Sequence, residues 1–320
     1  MSLPLSSAPG AAGEELAADL AANIRIDGTA AGPLHTRPYS QWRDIRRRFL
    51  RNKLAVVGLV MILLIVFVGA FAPLLAPYDP RQQNLDNTQA SPSWDHWFGT
   101  DQVGRDQLSR VIYGTRIALF VGLAVVLVSV LIGVVVGVVA GFFGHRWDTV
   151  LMRVADVFLA FPLLIGALLI TTVLESRGLL VLIGALAFFS WATVSRLMRA
   201  AVLVAREAEY VEAARSLGAG RWRLISRHIL PNSLAPVLIY AAVSIPSAIV
   251  AEAALTFLGV GLKPGEPDWG QMIADGRKFF GYKDFLWLYP SLALVFTTLG
   301  FVFVADGLRD ALDPKLKGSQ

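Results

Sequence analysis

The sequence contains no cysteine, so disulfides, thiolate metal sites and cysteine nucleophiles are excluded from the start. Histidine is nearly as scarce. His35, His96, His145 and His228 lie far apart and none belongs to an HExxH-type pair, so no metal site is expected. No GxxxxGK[ST] loop occurs, so the chain does not bind ATP in the P-loop manner, and any use of ATP requires a partner that does. Charge is thin as well: 17% of 320 residues are charged and 55% are hydrophobic, with a mean hydropathy of +0.57. That balance belongs to a multi-span membrane protein, not a soluble domain. A net charge of +5 and a pI near 9.6 could suit nucleic acid, but no patch of interleaved basic and aromatic residues accompanies them. Nucleic acid is therefore not an expected partner. The first 24 residues lack Lys and Arg and carry Glu14, Glu15 and Asp19, the wrong sign for the basic start of a signal peptide. Residues 1–40, rich in Ala, Gly, Ser and Pro, read as a disordered tail.

What is present is a series of long apolar runs. A bilayer core about 30 Å thick needs roughly 20 apolar residues in a helix, because unpaired backbone groups are not tolerated there. Six segments qualify: 54–75, 117–142, 150–174, 179–195, 234–259 and 285–305. The third carries Arg153 and Asp156 in its first turns, which places them at the membrane surface. The fold class is thus all-α with six transmembrane helices. A basic juxtamembrane segment (41–53) precedes the first, and an outer loop with a short amphipathic helix (76–116) follows it. Residues 117–305 form the core and 306–320 a C-terminal tail. Lys and Arg accumulate on the cytoplasmic side of membranes. With the N-terminus inside, 20 of the 29 basic residues fall on cytoplasmic segments. Both termini and the loop 205–231 are then cytoplasmic, and membrane lipid is the surrounding partner.

The loop 205–231 is long, charged and helix-prone. Tyr210, Val211, Ala213, Ala214 and Leu217 form an apolar stripe at helical spacing, with Glu207, Glu209, Glu212 and Arg215 largely outside it. Gly218 and Gly220 permit a turn. A second short helix fits Arg221 to Ile229, with Trp222, Ile225 and Ile229 on one side, and Leu230-Pro231 stops it. Pattern alone leaves a surface-lying helix pair open. A helix-turn-helix DNA reader fits poorly, being tethered to membrane at both ends.

The order of residues goes further. Glu212-Ala213-Ala214, then Gly218, then Leu230-Pro231 resembles the EAA loop of ABC-importer membrane subunits, E-A-A-x3-G-x9-I-x-L-P. His228 stands at the usual Ile position, and the HILPN form is similar to the peptide-importer branch. "FGTDQVGRDQLSRVIYGTR" (98–116), "FLGVGLKPGEPDWG" (257–270) and "DGLRDALDP" (306–314) resemble the C-type permease subunits of dipeptide, oligopeptide and nickel importers. The likeness runs from about Gln41 to Pro314. It implies a type I importer permease fold in a bacterial inner membrane and no enzyme activity in this chain. The partners it implies are a homologous second permease, two cytoplasmic P-loop ATPases holding ATP and Mg, and an extracytoplasmic substrate-binding protein. It also implies that Glu212, Ala213, Ala214, Gly218, His228, Leu230 and Pro231 couple ATPase motion to transport. No cofactor is expected on this chain. Peptides are the expected cargo, with nickel chelates, glutathione or other small solutes as the alternative.

Other residues stand out by position. Asp101 and Arg105, and Asp106 and Arg110, are acid-then-base pairs spaced i,i+4, which predicts a short helix. It is either a solvated surface or, with Trp269, part of an outer gate or binding-protein dock. Gly133, Gly137 and Gly141 form a GxxxGxxxG row on one helix face, for ordinary packing or a helix crossing in a moving bundle. Glu252 is an intramembrane carboxylate, read as a gate or substrate contact or as an interhelix tie. An ion-coupled carrier would need more intramembrane charge than Glu252 alone. A membrane-embedded hydrolase would need a paired His, Ser or carboxylate constellation, and none is visible.

Overall fold

The computed structural model describes residues 41–312; the tail expected at 1–40 and the end of the C-terminal tail lie outside the described residues. The chain is helical: α1 (Gln41–Arg51), α2 (Lys53–Ala70), the single turn α3 (Ala72–Leu75), α4 (Gln107–Phe143), α5 (His145–Ala160), α6 (Leu163–Val173), α7 (Leu179–Arg206), α8 (Glu209–Ser216), α9 (Arg221–Phe257), α10 (Trp269–Gly276) and α11 (Phe285–Leu312). Five helices, α2, α4, α7, α9 and α11, are long and apolar enough to cross a membrane, and α5 with α6 makes six if that bent pair is one span.

The bend corrects the third expected span. Its apolar run continues from 150 to 174, but α5 and α6 meet at 89°. Pro162 lacks an amide hydrogen and disfavours helical backbone at Phe161, which is extended at φ −89° and ψ 130°. α6 has only 11 residues, about 17 Å of helix, too short to cross alone. α5 is amphipathic. Its acids turn to α7, where Asp148 meets Arg199 and Asp156 meets Arg196, while Trp147, Val150, Val154 and Val157 are exposed.

Between apolar helices in lipid, close van der Waals approach replaces the hydrophobic effect as the source of affinity. The row Gly133, Gly137, Gly141 supplies it between the parallel helices α4 and α7. A Cβ on Gly133 would stand 2.5 Å from Val194, one on Gly137 2.6 Å from Met198 and the Ser195 carbonyl, and one on Gly141 2.8 Å from Val202. α2 packs antiparallel on α11 by the same device, Gly58 against Gly300 and Phe303 and Ala55 against Gly307.

The helix directions give the bundle two distinct ends. One carries α8, and there Arg206 Nη1 donates to the Gly141 carbonyl at 2.9 Å and Asn52 Nδ2 to Asp310 at 3.3 Å. Both ends of the described chain therefore lie at the α8 end. The opposite end carries the loop 76–106, α10 and the Gly178 amide, which donates to the Gly261 carbonyl at 2.6 Å. α4, with 37 residues and a length of about 55 Å, exceeds a bilayer core and projects from it.

Candidate functional site

At the α8 end, the segment carrying the EAA spacing folds as a rooted helix with a free face. α8 ends in two bonds that satisfy its last carbonyls: the Gly218 amide donates to Arg215 O and the Ala219 amide to Ala214 O, both at 3.0 Å. This is a Schellman turn, which requires a left-handed residue at its pivot, and Gly218 has φ +82°. Apart from its two chain neighbours, no atom of the described residues lies within 4 Å of where a Gly218 Cβ would stand, so its surroundings are open.

Of the five residues of the expected apolar stripe, Val211 is buried and Ala214 half-buried. Val211 is fully buried with Leu224, Ile225 and Ile229 in a cluster with Val138, Met198, Val202 and Val237 of three spans. Glu212 and Ala213 are exposed, as are Tyr210 and, at 90%, Leu217. The second short helix is also corrected. Arg221 to Phe257 is one continuous helix, and Leu230-Pro231 does not stop it. A π-helical segment, Leu224–Ile229, widens the turns just before Pro231, so the missing amide is absorbed instead of ending the helix. Trp222 is not on the Ile225 side; it is 78% exposed. His228 is half-buried, and its carbonyl accepts from Asn232 Nδ2 at 2.6 Å. Leu230 is half-buried and Pro231 exposed. The structure thus leaves Glu212, Ala213 and Gly218 exposed, and with them two residues that periodicity had grouped with apolar faces, Leu217 and Trp222.

At the opposite end, the four charges read as i,i+4 pairs do not make a solvated helix. Residues 101–105 form a turn, and Asp106 is the N-cap of α4, its Oδ2 accepting from the Ser109 amide and hydroxyl, both at 2.7 Å. Its other oxygen meets His96 Nδ1 at 2.9 Å, so Asp106 does not pair with Arg110. Asp101 closes its own turn on the amides of Val103 and Arg105 and bonds Arg105 Nε at 2.6 Å. Gly104 completes the turn at φ +76°, where a Cβ would fall 1.7 Å from the Asn84 carbonyl. Arg110, 1% exposed, donates to the carbonyls of Pro80, Gly265 and Glu266 at 3.3, 3.0 and 3.1 Å, with Asp101 3.7 Å from its Nε. These bonds lock the loop 76–106 onto the segment 263–268. The nearby Asp284 carboxyl is held below the usual carboxylate range by the Trp287 indole N–H at 3.0 Å and the Gly281 amide at 2.8 Å.

Trp269 is not on a rim. It is 1% exposed, its indole donates to the Val111 carbonyl at 3.0 Å, and its ring lies against Gly114. Glu252 is also 1% exposed, and its buried Oε1 has no hydrogen-bond partner among the described residues. One residue on, Gly270 of α10 lies directly against the Ala253 carbonyl, where a Cβ would fall 2.1 Å away. Among the described residues, no group of three or more His, Cys, Asp or Glu side chains could hold a metal ion.

Comparison with known proteins gives this geometry a family. Residues 133–318 match the model for "Binding-protein-dependent transport system inner membrane component", and residues 40–92 match "N-terminal TM domain of oligopeptide transport permease C". The chain is 41% identical over 278 residues to the oligopeptide transport system permease protein OppC of Bacillus subtilis (strain 168), covering 87% of this chain and 91% of the relative. The dipeptide transport system permease protein DppC of Alkalihalophilus pseudofirmus is 40% identical, with the same coverage. The glutathione transport system permease protein GsiD of Pectobacterium atrosepticum is 39% identical, over 86% of this chain and 92% of that one. A solved amino acid ABC transporter with histidines shares the fold at 19% identity and TM-score 0.50, covering 62% of this chain and 92% of that chain.

Proposed function

This chain belongs to the family of binding-protein-dependent transport system inner membrane components and is a non-catalytic, multi-pass permease subunit of an ABC importer; from that premise we propose that it carries peptides and takes its power stroke through α8. One observation carries the reading: α8 is rooted by Val211, which packs with Ile225 and Ile229 of α9 in the core of the spans, while Ala213, Leu217, Gly218 and, on α9, Trp222 are exposed. A rooted helix transmits a push to the spans it is anchored in. The exposed apolar side chains beside the Glu212 and Arg215 charges suit a groove on an ATPase subunit. Two such ATPases, a homologous second permease and an extracytoplasmic binding protein complete the assembly.

The α8 end faces the compartment that holds ATP, and both termini lie on that side. The supporting argument is the Lys and Arg bias, carried by Arg46, Arg47, Arg48, Arg51 and Lys53 next to α2 and by the segment 196–233. Because the chain has no cysteine, Leu217→Cys and Trp94→Cys provide single reporters at the two ends. In intact cells an impermeant thiol reagent labels the Trp94→Cys chain and spares the Leu217→Cys chain. The reverse pattern overturns the orientation.

Peptides of two or more residues are the cargo favoured by the oligopeptide and dipeptide relatives. Glutathione transport is a second reading, favoured by a relative whose 39% identity nearly equals the others. Uptake of a labelled dipeptide by vesicles holding the co-purified complex, challenged with unlabelled oligopeptide or glutathione, decides between them. Competition by oligopeptide alone supports the first reading. Competition by glutathione alone replaces it with the second.

A further inference from the structure

A cavity of about 220 Å³ lies where α4, α6, α7 and α9 converge. Its wall is mostly apolar, but Ser129 of α4, Ser190 of α7, and Tyr240, Ser244 and Ser247 of α9 place five hydroxyl groups in it. Three of them share one level. By helical rise Ser129, Ser190 and Ser244 lie about 21–24 Å from the α8-end residues Phe143, Arg206 and Leu230 of their segments. Hydroxyl groups within spans usually find partners, because a polar group facing hydrocarbon is costly. Ser190 and Ser244 do so by donating to the carbonyls of Leu186 and Tyr240, at 2.8 and 2.7 Å, which leaves their oxygens free to accept. Ser129 is 3% exposed, and its Oγ has no hydrogen-bond partner.

Pro246 adds an acceptor to the same stretch of α9. It has no amide hydrogen, so the Ala242 carbonyl loses its helical donor, and Ala242 lies between two residues that line the cavity, Ala241 and Val243. Among the described residues of the lining there is no carboxylate, amine, guanidinium or imidazole. Acceptors for amide N–H groups, an apolar wall for side chains and no fixed charge match an uncharged stretch of peptide backbone. They offer a charged group no counter-ion, so its charge gains nothing there, and a lipid acyl chain would leave the Ser129 hydroxyl unsatisfied.

We propose that this cavity is a way-station for peptide backbone in transit, with Ser129, Ser190 and Ser244 as its contacts. The inference rests on the peptide reading and adds where the cargo touches this chain. It also assigns the site little discrimination by side-chain charge, which leaves such selection to another part of the assembly.

The chain's lack of cysteine makes the test direct. Ser129→Cys, Ser190→Cys and Ser244→Cys are introduced singly into the full complex, in vesicles with binding protein, ATP and a labelled dipeptide, the unsubstituted complex reporting background from partner thiols. A small cationic methanethiosulfonate is expected to label each variant during turnover, more slowly at saturating cargo, and to lower uptake several-fold. Val135→Cys, on a 64% exposed position of α4, is expected to keep its uptake after treatment. Labelling without loss of uptake overturns the proposal. So does modification by a membrane-partitioned maleimide only, which would make the cavity a lipid-facing groove. Absence of peptide uptake by the unsubstituted complex overturns the peptide reading instead, while labelling read by mass in the same vesicles still reports whether the cavity is open to water.

Discussion

Arg199 and Asp148, 51 residues apart in the chain, join α7 to α5 through two hydrogen bonds at the α8 end of the bundle, Nη2 to Oδ2 at 2.6 Å and Nε to Oδ1. Arg196 and Asp156 make a second, singly bonded pair between the same two helices. α7 leads within three residues into α8, and α5 leads through Pro162 into α6, whose Leu163 lines the central cavity. The two ion pairs therefore tie α5, and through it α6, to α7, the helix that leads into α8. Both side chains of the Asp148 pair are partly exposed, so Asp148→Asn is expected to cost only about 1 kcal/mol of stability. Uptake is expected to fall several-fold with the complex still assembled. The exchange Asp148→Arg with Arg199→Asp is expected to recover part of it. Transport and thermal unfolding measured on the three complexes check this, and unchanged uptake in Asp148→Asn contradicts it.

The α4–α7 contact makes a prediction by contrast. Gly137→Ala puts a methyl 2.6 Å from a backbone carbonyl that cannot move aside, an overpacking expected to cost about 1–3 kcal/mol. Gly184→Ala, on the same α7, meets nothing within 4 Å. It is expected to be neutral or to stabilise by about 0.5–1 kcal/mol, the helix-interior difference between the two residues. Thermal unfolding of the two purified complexes in one detergent separates them.

Arg110 holds the cap at the other end. Removing its guanidinium in Arg110→Met leaves three carbonyls and Asp101 without their buried partner, a loss of about 3 kcal/mol. Arg110→Lys recovers little, because an ammonium cannot reproduce the fork. Arg81→Ala, at a side chain 68% exposed, is expected to cost at most about 1 kcal/mol although Arg81 also bonds Glu266. Protease cleavage within 76–106 is expected to accelerate in Arg110→Met and not in Arg81→Ala.

The long spans were legible because an uninterrupted apolar run of that length has few other uses. The 89° bend was not, because hydropathy continues smoothly through Phe161-Pro162; the signal was Pro162 following a segment with Asp148 and Asp156 on one face. The spacing of Asp101, Arg105, Asp106 and Arg110 predicted a helix, yet an i,i+4 count cannot distinguish a helical acid from a cap. The Asp106-x-x-Ser109 order was the cue that α4 starts at Gln107, ten residues before its apolar run. In the EAA segment, order identified the motif but periodicity alone could not say which apolar residues face in. Leu217 and Trp222 belong to the free face because Val211 and Ile225 already fill the space between the spans. The cavity was not legible, since its hydroxyls come from three helices that only the packing brings to one level.

The central claim, that α8 drives transport through a turn pivoting on Gly218, is tested most directly by peptide imported per ATP hydrolysed in proteoliposomes. The comparison is between the unsubstituted complex and one carrying Gly218→Asp. The open surroundings of Gly218 keep the spans intact in this variant, so insertion and assembly are expected to be unchanged. The import ratio is expected to fall towards zero while hydrolysis persists. Full import by Gly218→Asp at the unsubstituted ratio would contradict the coupling role.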